Sequence, residues 1–307
     1  MMKIWSLGDA VVDLLPLEGM RFEACAGGAP VNVAVGVSRL GFASGFIGRV
    51  GKDPFGKFMH RTLTQFGVDT GHMEVDERYR TSTVVVTLAE KGEREFTFLV
   101  NPSADQFLTT AALPAFGADL LHYCSLALVA EQCRHTVSEA IARLHQAGGL
   151  VSFDVNLRAQ QWADPQFMLS SVDAFARRAD VLKLSEEEAL WLTQTTTVNE
   201  ALEALRAYPA ALKLVTQGEK GGVALWQDKR YAYAGFLVDS IDTTGAGDAF
   251  MAGLLAGIAR QGMPTAPREF AGLLTQASAC GALATTHKGA VAAAPDAAML
   301  ASFIARQ

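Results

Sequence analysis

Apolar and polar positions along this chain change period repeatedly. Short apolar runs take turns with longer stretches that carry apolar residues at helical spacing. Ile4–Leu7 predicts a strand, and Ala10–Leu15 prolongs it as an extended apolar segment with one acid, Asp13, inside. Asp13 is then either an exposed edge residue or a ligand for something polar. Phe46–Val50, Leu120–Tyr123, Leu150–Asp154, Val181–Leu184 and Leu212–Thr216 predict further strands. Asp53–Phe66, stopped by Gly67, and Glu131–Gln146 predict helices between them. Pro30 suits the first position of another helix and Gly41 its end. Phe250, Met251, Leu254, Leu255 and Ile258 share one helical face. Strands alternating with helices predict an α/β fold with a mostly parallel central sheet flanked by helices.

One pair of runs interrupts this rhythm. Thr81–Leu88 and Glu95–Val100 are β-rich and joined by the turn signal Ala89–Arg94, with Phe96 and Phe98 alternating onto one face. They predict either a small edge hairpin or a lid over a pocket.

Composition narrows the class. Over 307 residues, 50% apolar and 19% charged positions support a large core and exclude disorder. The formal charge of −6, with no basic run, argues against a nucleic-acid partner. No apolar stretch approaches a membrane span, and Met1–Asp9 reads as a strand cut short by Asp9 rather than a signal peptide. Cys25, Cys124, Cys133 and Cys280 show neither a Cys-x-x-Cys nor a zinc spacing, which predicts reduced thiols in a cytoplasmic protein. The histidines form no metal-ligand pattern.

The chemistry concentrates in Asp242-Thr243-Thr244-Gly245-Ala246-Gly247-Asp248, a glycine turn feeding the helix that carries Phe250. Such a turn directs unpaired N–H groups outward at the positive end of the helix dipole, a site for phosphate. A carboxylate there, Asp248, either complements the dipole or takes a proton from a hydroxyl attacking phosphorus. Ala26-Gly27-Gly28-Ala29-Pro30-Val31-Asn32 is a second glycine turn before a helix. Asn32 is the polar side chain of that first turn, suited to a local backbone bond or to a ligand. Polar clusters at Asp154/Asn156/Arg158, Ser185/Glu188 and Thr216/Gly218 all fall at strand ends, where open α/β sheets bind ligands. Ser185-x-x-Glu188 also fits a helix capping box. Two near-matches fail. Gly51–Lys57 has P-loop spacing, but Phe58 stands where a magnesium-holding hydroxyl belongs. Gly245–Phe250 lacks the third glycine of a dinucleotide fingerprint, which disfavours an oxidoreductase.

Gly27–Asn32 and Asp242–Gly253, in this order, resemble the ribokinase-like or PfkB family of carbohydrate kinases over nearly the whole chain. Gly8–Pro16, Ile47–Gly51 and Lys183–Glu188 look most like its bacterial fructokinases. The resemblance implies one kinase domain over 1–307, with the 80–101 hairpin inserted as part of a lid. It implies Asp248 as catalytic base, Gly245, Ala246 and Gly247 as the anion hole, and Arg158 beside the phosphates. Asp13, Gly28, Asn32 and Asn156 match sugar-side positions, and Lys183, Thr216 and Gly218 nucleotide-side ones. Glu188 matches a residue ordering water around the Mg2+ of ATP. Asp242, Thr244, Ala284, His287 and Gly289 match a monovalent-cation loop, with K+ as the candidate ion. Two departures stand out: Ser185 replaces a common asparagine, and Val155 replaces the usual proline of an Asp-Pro-Asn. Valine there also resembles aminoimidazole riboside kinases. The implied reaction is ATP-dependent phosphorylation of a free sugar, D-fructose first, with an aminoimidazole riboside or other nucleoside as the alternative. A non-catalytic sugar-binding protein is a third reading, disfavoured by the retention of Asp248 and the glycines. Pairing of two copies through lid strands is also implied.

Overall fold

The computed structural model describes residues 2–88, 94–227 and 229–307. Its strands are β1 (Ile4–Leu7), β2 (Val11–Pro16), β3 (Phe22–Gly27), β4 (Ser44–Gly51), β5 (Asp69–Asp76), β6 (Ser82–Leu88), β7 (Arg94–Phe98), β8 (Leu120–Cys124), β9 (Leu150–Asp154), β10 (Val181–Ser185), β11 (Leu212–Thr216), β12 (Gly222–Trp226) and β13 (Lys229–Tyr233). The helices are α1 (Ala29–Arg39), α2 (Pro54–Gln65), α3 (Glu131–Gln146), α4 (Pro165–Ala176), α5 (Glu186–Thr193), α6 (Val198–Leu205), α7 (Ala246–Gln261), α8 (Pro267–Ala284), α9 (Ala290–Ala293) and α10 (Ala297–Ile304).

Nine strands form the main sheet in the order β13-β12-β11-β10-β9-β8-β1-β4-β5. From β11 to β5 the neighbours are parallel, while β12 and β13 close one edge antiparallel. Helices cover both faces, giving one core around Tyr123 and Phe153 and another around α7. A second sheet of four strands, β3-β2-β6-β7, stands apart as a lid.

The first extended segment differs from the sequence reading. Ile4–Leu15 is not one strand: β1 belongs to the main sheet and β2 to the lid. The chain changes sheets at Gly8, where a φ of 145° opposes a side chain and an added Cβ would lie 2.9 Å from the Pro30 ring. The lid hairpin is β6 paired with β7; of the predicted turn Ala89–Arg94, residues 89–93 lie outside the described residues and Arg94 begins β7. Strand β2, which the sequence reading joined to β1, and β3, which it did not predict, complete the lid.

Helix α7 is buried from Asp248 to Ile258. A helix apolar all round belongs in a core rather than on a surface. It packs against α8 so closely that a Cβ on Gly253 would stand 2.7 Å from Cys280 Sγ. Each fully buried leucine along it contributes about 1.5–3 kcal/mol. This packing fixes where the N-terminus of α7 points.

Candidate active site

The N-terminus of α7 is a built turn. Its cap, Gly245, has φ 74°, and a Cβ there would meet the Ala290 Cβ at 2.6 Å. Asp242 ties the turn down. Its Oδ1 accepts from Thr244 N at 3.0 Å and from Thr244 Oγ1 at 2.7 Å, and its Oδ2 accepts from Gly289 N at 3.0 Å. Ile241 N and Asp242 N both donate to Thr285 O. Asp242, Thr244 and Gly289 are thereby brought together. Ala284 ends α8 in the adjoining core, while the His287 ring is exposed and bonded to Thr286 Oγ1. In the first helical turn Ala246 N donates to Thr243 O at 3.2 Å, while the N–H groups of Gly247 and Asp248 have no intrahelical partners.

This turn separates two cavities. Thr244, Gly245 and Asp248 line a small one of about 110 Å³. Thr243, Ala246 and Gly247 line a larger, mostly apolar one of about 450 Å³.

In the small cavity, Asp248 is buried and Asn32 Nδ2 donates to its Oδ2 at 2.8 Å. Burial pushes the Asp248 carboxyl up, while the Asn32 hydrogen bond and the charges of Lys183 and Arg158 oppose that rise. Asn32 therefore makes a long-range bond rather than a local one. Gly28, at φ 97°, caps α1, and a Cβ there would lie 2.7 Å from Asp9 O. Asp13 and Asn156 also line this cavity, Asn156 with a positive φ of 35°. Arg158 enters from the β9 end with its guanidinium 5.8 Å from the Phe96 ring centroid, and Phe96 and Phe98 form the lid side.

Asp9 is a lining residue that sequence reasoning missed. It is buried and pushed up to about 7, by burial first and by neighbouring Asp105 second. The available signal was an acid closing an apolar strand; it was read only as the strand's end.

The larger cavity brings Thr216 and Gly218 together with Phe236, Val238, Phe250 and Ser278. Phe250 was read only as part of the apolar helix face, and Phe236, Val238 and Ser278 carried no sequence signal, because they come from a loop and a helix that only the fold assembles. Lys183 lines neither cavity; it is buried behind Gly247 and donates to both Asp154 oxygens at 3.0 Å. Ser185 and Glu188 do form a capping box. Glu188 Oε2 accepts from Ser185 N at 2.8 Å, and its Oε1 accepts from Leu157 N at 2.7 Å, pinning the segment between Asn156 and Arg158.

A row of helix-terminal donors between a large, mostly apolar cavity and a small one lined by Asp9, Asp13 and Asp248, with the Asp248 carboxylate on the turn itself, defines an enzyme. It transfers a phosphoryl group from a nucleotide to a small hydroxylated acceptor. The pfkB family carbohydrate kinase model matches residues 1–297, and the chain belongs to that family. It is 51% identical over 295 residues to the fructokinase of Salmonella typhimurium, covering 95% of this chain and 96% of that one. A fructokinase double mutant from Vibrio cholerae O395 in fructose, ADP and potassium ion bound form superposes with a TM-score of 0.94 at 45% identity, covering 99% and 98% of the two chains. Aminoimidazole riboside kinase from Salmonella enterica, complexed with aminoimidazole riboside and an ATP analog, reaches 0.91 at 33% identity, covering 98% and 99%. The chain is thus an ATP-dependent carbohydrate kinase with a ribokinase-like fold. Among the described residues, no helix is long and apolar enough to cross a membrane.

Proposed function

We propose that this kinase is a fructokinase, transferring the γ-phosphoryl of ATP to D-fructose and yielding fructose 6-phosphate. One observation carries the reading. The Gly245–Asp248 turn borders both cavities, so an acceptor hydroxyl beside Asp248 and a nucleotide phosphate beside Gly247 meet across it. Asp248 accepts the hydroxyl proton as the oxygen attacks phosphorus, and the bond from phosphorus to the departing ADP oxygen breaks. The N–H groups of Gly245, Gly247 and Asp248 receive the charge that spreads over the transferred oxygens, while Ala246 N, bonded to Thr243 O, shapes the turn. Arg158 neutralises part of it from the sugar side. Asp13, Gly28, Asn32 and Asn156 hold the sugar; Thr216 and Gly218 hold the nucleotide. Phe96 and Phe98 exclude water.

Magnesium bound with the nucleotide neutralises the β- and γ-phosphates. We assign Glu188 to its surrounding water, since each carboxylate oxygen accepts one main-chain bond and has lone-pair capacity for another donor. Asp242, Thr244 and the carbonyls near Ala284, His287 and Gly289 form an oxygen-rich loop suited to K+; replacing K+ by a large organic cation tests that assignment. Two copies pairing through the lid are supported by exposed Leu17, Met20 and Phe22 at its edge. Sedimentation tests that pairing. ATP use and free thiols support a cytoplasmic location, which tagged-cell fractionation tests.

The riboside reading keeps one observation in its favour, Val155 between Asp154 and Asn156. The small volume of the polar cavity favours a free monosaccharide. ATP turnover with fructose, ribose, 2-keto-3-deoxygluconate and aminoimidazole riboside separates the two. Fructose is expected to give the highest kcat/KM, and a riboside preference overturns the assignment. Asp248→Asn serves as the control, with an expected loss of about 10²–10⁴ in kcat.

A further inference from the structure

A buried cation stands directly behind the glycine turn. A Cβ built on Gly247 would lie 3.3 Å from Lys183 Nζ. Lys183 on β10 is in register with Asp154 on parallel β9, so both side chains leave the same face of the sheet. The pair is enclosed, with side-chain exposures of 9% and 1%. A buried ion pair is an expensive way to hold two strands together; apolar residues of similar volume do that as well or better. Fold stability alone therefore explains its presence poorly. Its position explains it better, because the ammonium lies against the turn on which the transferred group must rest.

We propose that Lys183 is a positioning residue for phosphoryl transfer: anchored by Asp154, its ammonium keeps positive charge fixed behind Gly247 and beside Asp248. The inference rests on the kinase reading above. A charge held rigidly in a water-poor interior needs no reorganisation while negative charge builds on the phosphoryl oxygens. The same charge favours the ionised base. Burial pulls Lys183 down, but the carboxylates of Asp154, Glu188 and Asp248 outweigh it and keep the ammonium protonated. The groups that act on Asp248 are Asn32 from α1, Lys183 from β10 and Arg158 from the segment after β9. Asp9, Asp154 and the Cys124 thiol also feel its charge.

Two variants test the proposal through opposite shifts. Asp154→Asn with Lys183→Met removes both charges without leaving either group buried alone. Its kcat is expected to fall about tenfold or more, with KM for fructose within about threefold of the parent. The acidic limb of its pH–kcat profile moves up by about one pH unit. Asp154→Asn alone leaves the cation without its counter-ion, and the same limb moves down. Variants that fold, turn over fructose and keep the parental limb overturn the role of Lys183 and leave the kinase reading standing. A parent that phosphorylates no sugar or riboside sinks that reading, and this role with it.

Discussion

Asn32 Nδ2 lies 2.8 Å from Asp248 Oδ2, a bond joining positions 216 residues apart in sequence. It links the first turn of α1 to the first turn of α7, so the two glycine turns are aligned by the groups they present. Asn32→Ala removes a donor that lowers the Asp248 carboxyl against the raising effect of burial. In its proposed role as base Asp248 works ionised, so rate is expected to rise with pH through its titration. Losing the donor moves the acidic limb of kcat to higher pH. Removing a hydrogen bond to a charged group costs about 1.5–3 kcal/mol, or roughly tenfold to a hundredfold in kcat at neutral pH. A parental profile in a folded variant contradicts the arrangement.

Gly245→Ala asks whether the turn is as tightly built as it looks. The substitution sets a Cβ 2.6 Å from Ala290 Cβ, at a φ of 74° that alanine adopts with strain. A cost of about 1–3 kcal/mol in folding stability is expected from the backbone alone. The turn also has to shift away from α9, misaligning its N–H donors. Thermal unfolding and steady-state kinetics should both register the change, kcat falling more than KM for fructose rises. Unchanged kcat in the folded variant argues against these donors as the anion hole.

The reach of sequence reasoning followed the range of the interactions involved. Helix α3 and strand β9 were legible because apolar period and capping are local properties. Asp248 and Asn32 were legible because each sits in a glycine turn with its own signature. Lys183 was harder: the resemblance put it on the nucleotide side, whereas it lines neither cavity and its partner Asp154 is supplied by strand order. Asp9 needed the change of sheet at Gly8, which a run of apolar residues conceals. Phe236 and Ser278 become neighbours only after α7 and α8 pack, so no segment of the chain announces the larger cavity.

Asp9 gives a prediction about stability. Its carboxyl is raised from an ordinary 3.8 to about 7 in the folded chain. The native state therefore holds a proton that the unfolded chain releases at lower pH. Stability from this group is fully present below about pH 4 and is lost as pH rises through 7. Asp9→Asn keeps the shape and removes the titration. Chemical denaturation at pH 5 and pH 8 should show a smaller pH dependence in the variant than in the parent, by on the order of 1–4 kcal/mol. Asp105, raised to about 6 by burial, contributes a weaker trend of the same sign that survives the substitution. Equal pH dependence in parent and variant rules out a protonated Asp9.

Phe96 tests what the lid is for. Its ring centroid lies 5.8 Å from the Arg158 guanidinium, and it lines the small cavity proposed for the sugar together with Phe98. It thus covers the cavity where an attacking hydroxyl would lie and fixes the side chain that faces the transferred group. Phe96→Ala opens a path for water to the same position and frees Arg158 to move. Water is a poorer nucleophile than a positioned sugar hydroxyl, because the sugar's other contacts restrict its freedom before reaction. The loss of coupling should nonetheless be measurable, since exclusion of water is what suppresses hydrolysis in such sites. The ratio of ADP formed to fructose 6-phosphate formed is expected to rise above one in the variant, with kcat for sugar falling and some loss of lid stability, because Phe96 packs against Val11, Val84 and Val86. If the ratio stays at one while kcat falls, Phe96 acts through Arg158 alone, and the lid's part in excluding water is refuted.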